Sequence, residues 1–253
     1  MIKILAFIII ISPNLFARDP GQTEITADEG IEVFQNEKYY LLKKNVKISS
    51  DEFNLSAEKV KAYFNKDLYD IIILDAHSDV TFEFNNGAKG KGNHLNFLIE
   101  EKKLTINGKN SYINFNDLKM NSDEFLMIDN SKKQFFLSGP NSKLRTENLE
   151  IIADSIEGQY EIINDINEII NLIIIDKESI SISKDQMDMY AKKAIFSKED
   201  NLIELFNDVK IIRNNETIIG DYAKINTLDR SYKIISKNSK RVKLLIESNN
   251  EQN

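Results

Sequence analysis

The chain has 253 residues, no cysteine, three prolines, nine glycines, a formal charge of −7 and a pI near 5.1. The missing cysteines exclude a disulfide framework and any thiolate metal site, so stability must come from the core, which a chain of this length is able to build. The acidic balance argues against phosphate-driven nucleic-acid binding, which needs a basic footprint.

The first 17 residues read MIKILAFIIIISPNLFA. Lys3 supplies a positive start, Ile4 to Ile11 an unbroken apolar run, Pro13 a break and Ala17 a small residue before Arg18. This is the layout of an export signal cleaved between Ala17 and Arg18, and the apolar run falls short of the roughly 20 residues that span a bilayer. Leu15, three residues before the cut, is larger than such sites favour, which leaves an uncleaved membrane anchor open. The expected division is a signal peptide over 1–17 and a single domain over 18–253, because no Pro- or Gly-rich linker interrupts the rest.

Seven times after that point a small residue followed by a polar one opens a two-stranded unit. The anchors are Ala27-Asp28, Ala57-Glu58, Gly92-Asn93, Ser122-Asp123, Ala153-Asp154, Ala191-Lys192 and Gly220-Asp221, at intervals of 30, 35, 30, 31, 38 and 29 residues. A period of this size is the mark of stacked units, each stable only against its neighbours. Apolar residues follow most anchors at +3 and often at +5 and +7, as in Val60, Ala62 and Phe64, which is the alternation of a half-buried strand. Because +3 is odd, the anchor is out of register with them, and a bulge or sharp bend beside each small residue reconciles the two. Polar turns such as Asn65-Lys66-Asp67 and Lys198-Glu199-Asp200 come next, then return strands of the form Asn45-Val46-Lys47-Ile48 and Asp208-Val209-Lys210-Ile211. Helical periodicity is weak throughout. The expected fold is all-β: an antiparallel sheet of about seven hairpin repeats, folded over on itself to bury its apolar face.

The strands Ala57-Glu58-Lys59-Val60-Lys61-Ala62-Tyr63-Phe64-Asn65 and Gly220-Asp221-Tyr222-Ala223-Lys224-Ile225-Asn226, with their Asn/Asp-Val-x-Ile returns, resemble the OstA-like β-jelly-roll family of lipopolysaccharide transport. The resemblance runs from about Thr23 to Glu247 and lies nearest the LptA branch, the soluble periplasmic bridge. It implies a folded-over sheet whose interior carries the acyl chains of lipopolysaccharide between the inner and outer membranes, with no reaction and no cofactor. It also implies head-to-tail joining with the same fold on LptC-like and LptD-like partners, and possible head-to-tail homo-oligomers. An uncleaved N-terminus would instead match the anchored LptC-like branch. The residues expected to line the interior, as a set, are Val46, Ile48, Val60, Ala62, Phe64, Leu74, Val80, Phe82, Phe97, Phe125, Met127, Phe135, Leu137, Ile175, Phe196, Val209 and Ile225. Burying each methylene of an acyl chain contributes about 0.8 kcal/mol, so several chains justify an apolar trough.

Other constellations carry less. Asp75, His77 and Asp79 alternate on one strand face, where three ligands suit a metal. Val80, Phe82 and Phe84 take the opposite parity, so the triplet is expected to face solvent, and His94 stands alone beside an anchor. Asn85 to Gly92 lacks the Gly-Lys-Ser/Thr of a phosphate loop and reads as a hairpin connection, and no Gly-x-Ser-x-Gly elbow is present. An enzyme is not expected. The two ends differ in charge: Glu24, Asp28, Glu29 and Glu32 near the start, and Lys237, Lys240, Arg241 and Lys243 near the end. Terminal strands of an open stack are unpaired edges, and opposite charges there would steer head-to-tail docking.

Overall fold

The structure, a computed structural model, describes residues 21–68, 70–164, 166–236 and 241–246. Its first half comprises β1 (Glu24–Thr26), β2 (Ile31–Phe34), β3 (Tyr39–Ser49), β4 (Phe53–Phe64), β5 (Ile71–Phe84), β6 (Lys89–Leu98), β7 (Lys103–Asn107), β8 (Ser111–Phe115) and β9 (Leu118–Ser122). The second half comprises β10 (Phe125–Asp129), β11 (Gln134–Arg145), β12 (Leu149–Ile163), β13 (Ile166–Lys184), β14 (Met187–Ser197), β15 (Leu202–Arg213), β16 (Glu216–Asn226), β17 (Tyr232–Ile235) and β18 (Lys243–Ile246). All pairings are antiparallel and all eighteen strands belong to one sheet.

The registers show how that sheet folds. Every long strand bends once, so that its two halves lie in different leaves. β3 pairs β2 through its first half (Ile31↔Leu42) and β1 through its second (Ile25↔Ile48), with a register shift between Lys43 and Val46. β6 likewise pairs β7 at one end and β8 at the other, and β16 pairs β17 and β18. Counting β1–β2, β7–β8, β9–β10 and β17–β18 each as one bent strand leaves fourteen among the described residues, which is seven hairpins. The bends line up as a spine, and the hairpin turns form two rims facing each other across the interior.

Two kinds of residue make the spine. On β4, β6, β12, β14 and β16 the small anchors Ala57, Gly92, Ala153, Ala191 and Gly220 sit at the bend. At the two glycines the approach is too close even for a Cβ, which on Gly92 would lie 2.1 Å from Ile106 Cγ2 and on Gly220 2.5 Å from Ile234 Cγ2. Several of the facing strands turn through left-handed pairs of polar residues, Lys44-Asn45, Ser78-Asp79 and Asn207-Asp208, all with φ between 47° and 65°. Asn and Asp tolerate that region best among residues with side chains. At the bend of β13 carboxylates take over the backbone: Asp176 accepts from the amides of Asp154, Glu178 and Ser179, and Asp154 accepts from Lys177 N–H.

Inward positions then alternate as half-buried strands require. In β4 these are Phe53, Leu55, Ala57, Val60, Ala62 and Phe64, and in β15 Ile203, Leu205, Val209 and Ile211. Ser56 to Phe64, the stretch most open to a helical reading, is strand.

Candidate functional site

The interior between the leaves is the feature that needs explaining. Val46, Ile48, Val60, Ala62, Leu74, Val80, Phe135, Leu137, Val209 and Ile225 all point into it with at most 3% exposure, and Phe64, Phe82 and Phe97 are buried there too. Phe196 is half-buried and packs against this core.

Three expected lining residues point the other way. Phe125 and Met127 are only half-buried, while Leu126 and Ile128 take the inward positions. The cause is one additional residue at that bend. From Ala57, Gly92, Ala153, Ala191 and Gly220 the next inward residue is at +3, but from Ser122 it is Leu126, at +4. Glu124 fills the gap, lying against Gly139, where a Cβ would be 2.9 Å from its side chain. A one-residue insertion exchanges the two faces of everything after it. Ile175 is 46% exposed because Leu172 and Ile174 are the inward residues of β13. The run Ile173-Ile174-Ile175 is apolar on both faces, so its parity could not be read from composition. In the third unit Ile113 is inward and Tyr112 only half-buried, and Leu144 is inward in the fourth.

The interior is not uniform. Around β12–β15 a cavity of 360 Å³ opens between the leaves at the turn side, lined by Ile151, Ile169, Leu172, Ile174, Phe196 and Ile203 among others. A second, of 870 Å³, lies at the N-terminal end, between Ile25, Ile48 and Phe53 of one leaf and Tyr40, Leu42 and Leu74 of the other. Between these openings the leaves meet. The Phe115 ring stands edge-on to Tyr160 across the interior at 6.3 Å, and Phe135 lies beside Tyr160. Asn167 of β13 donates through Nδ2 to the carbonyl of Phe115, tying one leaf to the rim of the other.

That bond leaves Asn167 with an open valence. The residue is 3% exposed and lines the smaller cavity, yet its Oδ1 accepts no hydrogen bond from any described residue. A buried carbonyl oxygen without a donor costs free energy on the order of 1–3 kcal/mol, so this is a buried polar point in the wall of the cavity. Tyr160 is satisfied by donating to Asn130 Oδ1, and burial with the nearby Asp129 charge pushes its hydroxyl up to about 12. Burial also raises Asp129, but donors from Ser131 and Lys132 N–H, with the Lys132 and Lys103 charges, outweigh that and hold it below the usual carboxylate range.

Asp75 and His77 lie on the outer face, where the alternation placed them, but Asp79 and His94 depart from it. The bend at Ser78-Asp79 carries Asp79 to an exposed corner 3.8 Å from Lys91, out of line with Asp75 and His77. His94, expected to stand alone, is instead directly opposite His77 on the neighbouring strand. Sequence spacing within one strand had no means of showing a cross-strand partner.

The end edges are unpaired on their outer sides among the described residues, as β1 and β2 pair only β3, and β17 and β18 only β16. Glu24 lies on β1, and Asp28, Glu29 and Glu32 are partly answered from β3. Lys43 Nζ is 2.7 Å from Glu32, Lys44 Nζ 3.9 Å from Glu29, and Asn45 donates to Asp28. Arg241 and Lys243 are exposed at the other end, whereas Lys237 and Lys240, like Ala17 and Arg18, lie outside the described residues. Both edges also expose apolar side chains: Ile31 and Val33 at the first, Leu244, Leu245 and Ile246 at the last. No described helix is long and apolar enough to cross a membrane.

No protein-family model matches the chain, and no curated protein matches it. Among solved structures it is similar to LptH of Pseudomonas aeruginosa, described as the LptA-homologous periplasmic component of the lipopolysaccharide transport device. The match covers 90% of this chain and 96% of that one, at 10% identity and a TM-score of 0.23. With so low a TM-score, the architecture rests on the strand registers themselves.

Proposed function

We propose that the chain binds lipopolysaccharide by its acyl chains and hands it across the periplasm, as one module of a bridge built edge to edge. The observation that carries this reading is an apolar interior between two leaves that opens at the rim beside Phe196 and again at the N-terminal end. Folding the sheet over creates chambers that aliphatic chains fill, and each methylene taken from water contributes about 0.8 kcal/mol. The two terminal edges, unpaired on their outer sides among the described residues and each with exposed apolar residues, suit β-augmentation by the same fold in LptC-like and LptD-like partners. The acidic first edge and basic last edge favour head-to-tail over head-to-head contact. The leader-like Met1 to Ala17 fits export to the periplasm.

Photo-crosslinkers placed at Phe64, Phe97 and Phe196 in cells test the reading. Crosslinks to lipopolysaccharide, strongest at Phe196, are expected. The tight burial of most inward residues favours one rival, a structural or adhesive β-solenoid with a dry core that binds protein partners. No lipid crosslink at any of the three sites would decide for that rival. An LptC-like anchored subunit is separated by intact mass, since loss of Met1 to Ala17 excludes it. For the edges, Arg241→Glu with Lys243→Glu should abolish self-association that added salt weakens, and salt-independent assembly would refute the charge argument.

A further inference from the structure

The chain contains two histidines, and the sheet puts them on one rung. His77 of β5 and His94 of β6 are directly opposed, their rings stacked at 4.2 Å between centroids and 8° between planes. Asp75, two residues before His77 and so on the same face, sits beneath both. His94 Nε2 is 2.6 Å from its Oδ1 and His77 Nε2 is 3.1 Å from its Oδ2. One carboxylate thus meets two imidazole nitrogens, and one ligand atom from each residue lies within 4.8 Å of the others. The side chains are between a fifth and a half exposed, so the cluster is reachable from solvent while its polar atoms are already turned toward each other.

We propose that Asp75, His77 and His94 form a binding site for a divalent transition-metal ion, Zn²⁺ foremost. Two imidazoles and one carboxylate are the donor set that borderline ions take, whereas Ca²⁺ and Mg²⁺ require oxygen shells this face does not supply. Three protein ligands leave a fourth, tetrahedral position for water. Binding exchanges the two hydrogen bonds to Asp75 for metal bonds. Each ring turns so that its Nε2 lone pair faces the ion, and its proton is then carried on Nδ1. Rigidity favours the site, because continuous cross-strand register runs up to it (Leu74↔Phe97, Asp75↔Asn96, His77↔His94) and the inward neighbours Leu74, Ala76 and Leu95 are fully buried. Two cations oppose it: Lys59 stands across from His77 on β4, and Lys61 across from Asp75. Lys61 is drawn aside over the Tyr39 ring at 5.0 Å, which leaves Lys59 as the charge facing the ion. An ion here would clamp β5 to β6 on the outer face, and the proposal stands whether or not the interior carries lipid.

The test is a Zn²⁺ titration of the tag-free chain near neutral pH, followed by calorimetry and by the two imidazole proton resonances. One equivalent should bind, and both resonances should move together. His94→Gln and Asp75→Asn should each weaken binding by about tenfold or more, and Lys59→Ala should strengthen it, with circular dichroism unchanged. The proposal is overturned if neither resonance moves in excess Zn²⁺, if only one moves, or if the Gln and Asn variants bind as the parent does.

Discussion

The two leaves touch where Phe115 of β8 meets Tyr160 of β12, as they also do where Phe97 of β6 meets Phe53 and Phe84, and around β12–β15 they part. The closed middle is aromatic: Phe115, Phe135 and Tyr160 interlock, and Asn167 ties the rims. The open stretch around β12–β15 is lined mainly by branched aliphatic residues, with Phe196 half-buried at its mouth. The same backbone plan therefore makes a plug or a chamber according to the volume of the inward side chains, since a sheet sets the spacing of the leaves and the residues decide whether it is filled. A single uninterrupted trough is not what the fold contains. On the proposed function, lipid moving along the stack would have to displace the middle plug or cross it outside the leaves.

The sharpest way to break that contrast is to truncate one aromatic on each side of it. Phe135→Ala in the plug should cost about 3–5 kcal/mol, because the side chain is 1% exposed and its neighbours cannot collapse around the void. Phe196→Ala should cost roughly 1–2 kcal/mol, as a half-buried ring already borders open space. Denaturant unfolding of both variants measures the difference, and equal costs would erase the distinction between plug and chamber.

Alkali probes the plug without mutation. Tyr160 holds its proton to about pH 12 in the fold, against 10 for an ordinary tyrosine. The folded state thus binds that proton more tightly than the unfolded one. Its contribution is complete below pH 10 and is lost as pH rises through 12, worth about 3 kcal/mol over those two units. Stability measured between pH 10 and 12 should fall by that order, and Tyr160→Phe should remove that component of the fall while leaving those from other tyrosines.

The spine was largely readable in the sequence and the plug was not, for a physical reason. A bend where leaves touch tolerates only Ala, Gly or Ser, so Ala57, Gly92, Ala153, Ala191 and Gly220 repeat at every turn of the stack and give the period away. Parity then follows by counting, and it fails where counting must: after Glu124, an insertion that looks like any other polar residue, and in Ile173-Ile174-Ile175, where both faces are apolar. Contacts between leaves have no period. Phe115 and Asn167 are 52 residues apart, and His77 and His94 meet only because β5 and β6 pair in one particular register.

Glycine reports on the plug from below. Gly158 lies directly opposite Phe135, and a Cβ there would meet Phe135 Cζ at 2.2 Å and Leu172 Cδ2 at 2.8 Å. Gly90 stands in the same relation to Phe82 on another part of the stack, at 2.6 Å. Each ring is laid flat over a bare stretch of backbone. Gly158→Ala should therefore cost about 1–3 kcal/mol through overpacking, despite the higher strand preference of alanine. Phe135→Leu made with it should recover part of that loss, a coupling that a double-mutant cycle reads directly.

The smallest effect is expected at the boundary between plug and chamber, where two terms oppose. Asn167→Leu removes the Nδ2 bond to Phe115 and leaves that carbonyl without its donor, a loss of about 1 kcal/mol or more. It also removes the unpaired Oδ1 and fills part of the 360 Å³ cavity with methyl groups, which returns a similar amount. The net change in stability should lie within about 1 kcal/mol of zero. Lipid binding should respond differently, because the same leucine occupies chamber volume: photo-crosslinking from Phe196 to lipopolysaccharide should drop while the unfolding midpoint hardly moves. If stability falls by several kcal/mol instead, Asn167 is a structural tie whose second valence is met in the folded protein. If neither quantity changes, the chamber beside it is not where the lipid lies.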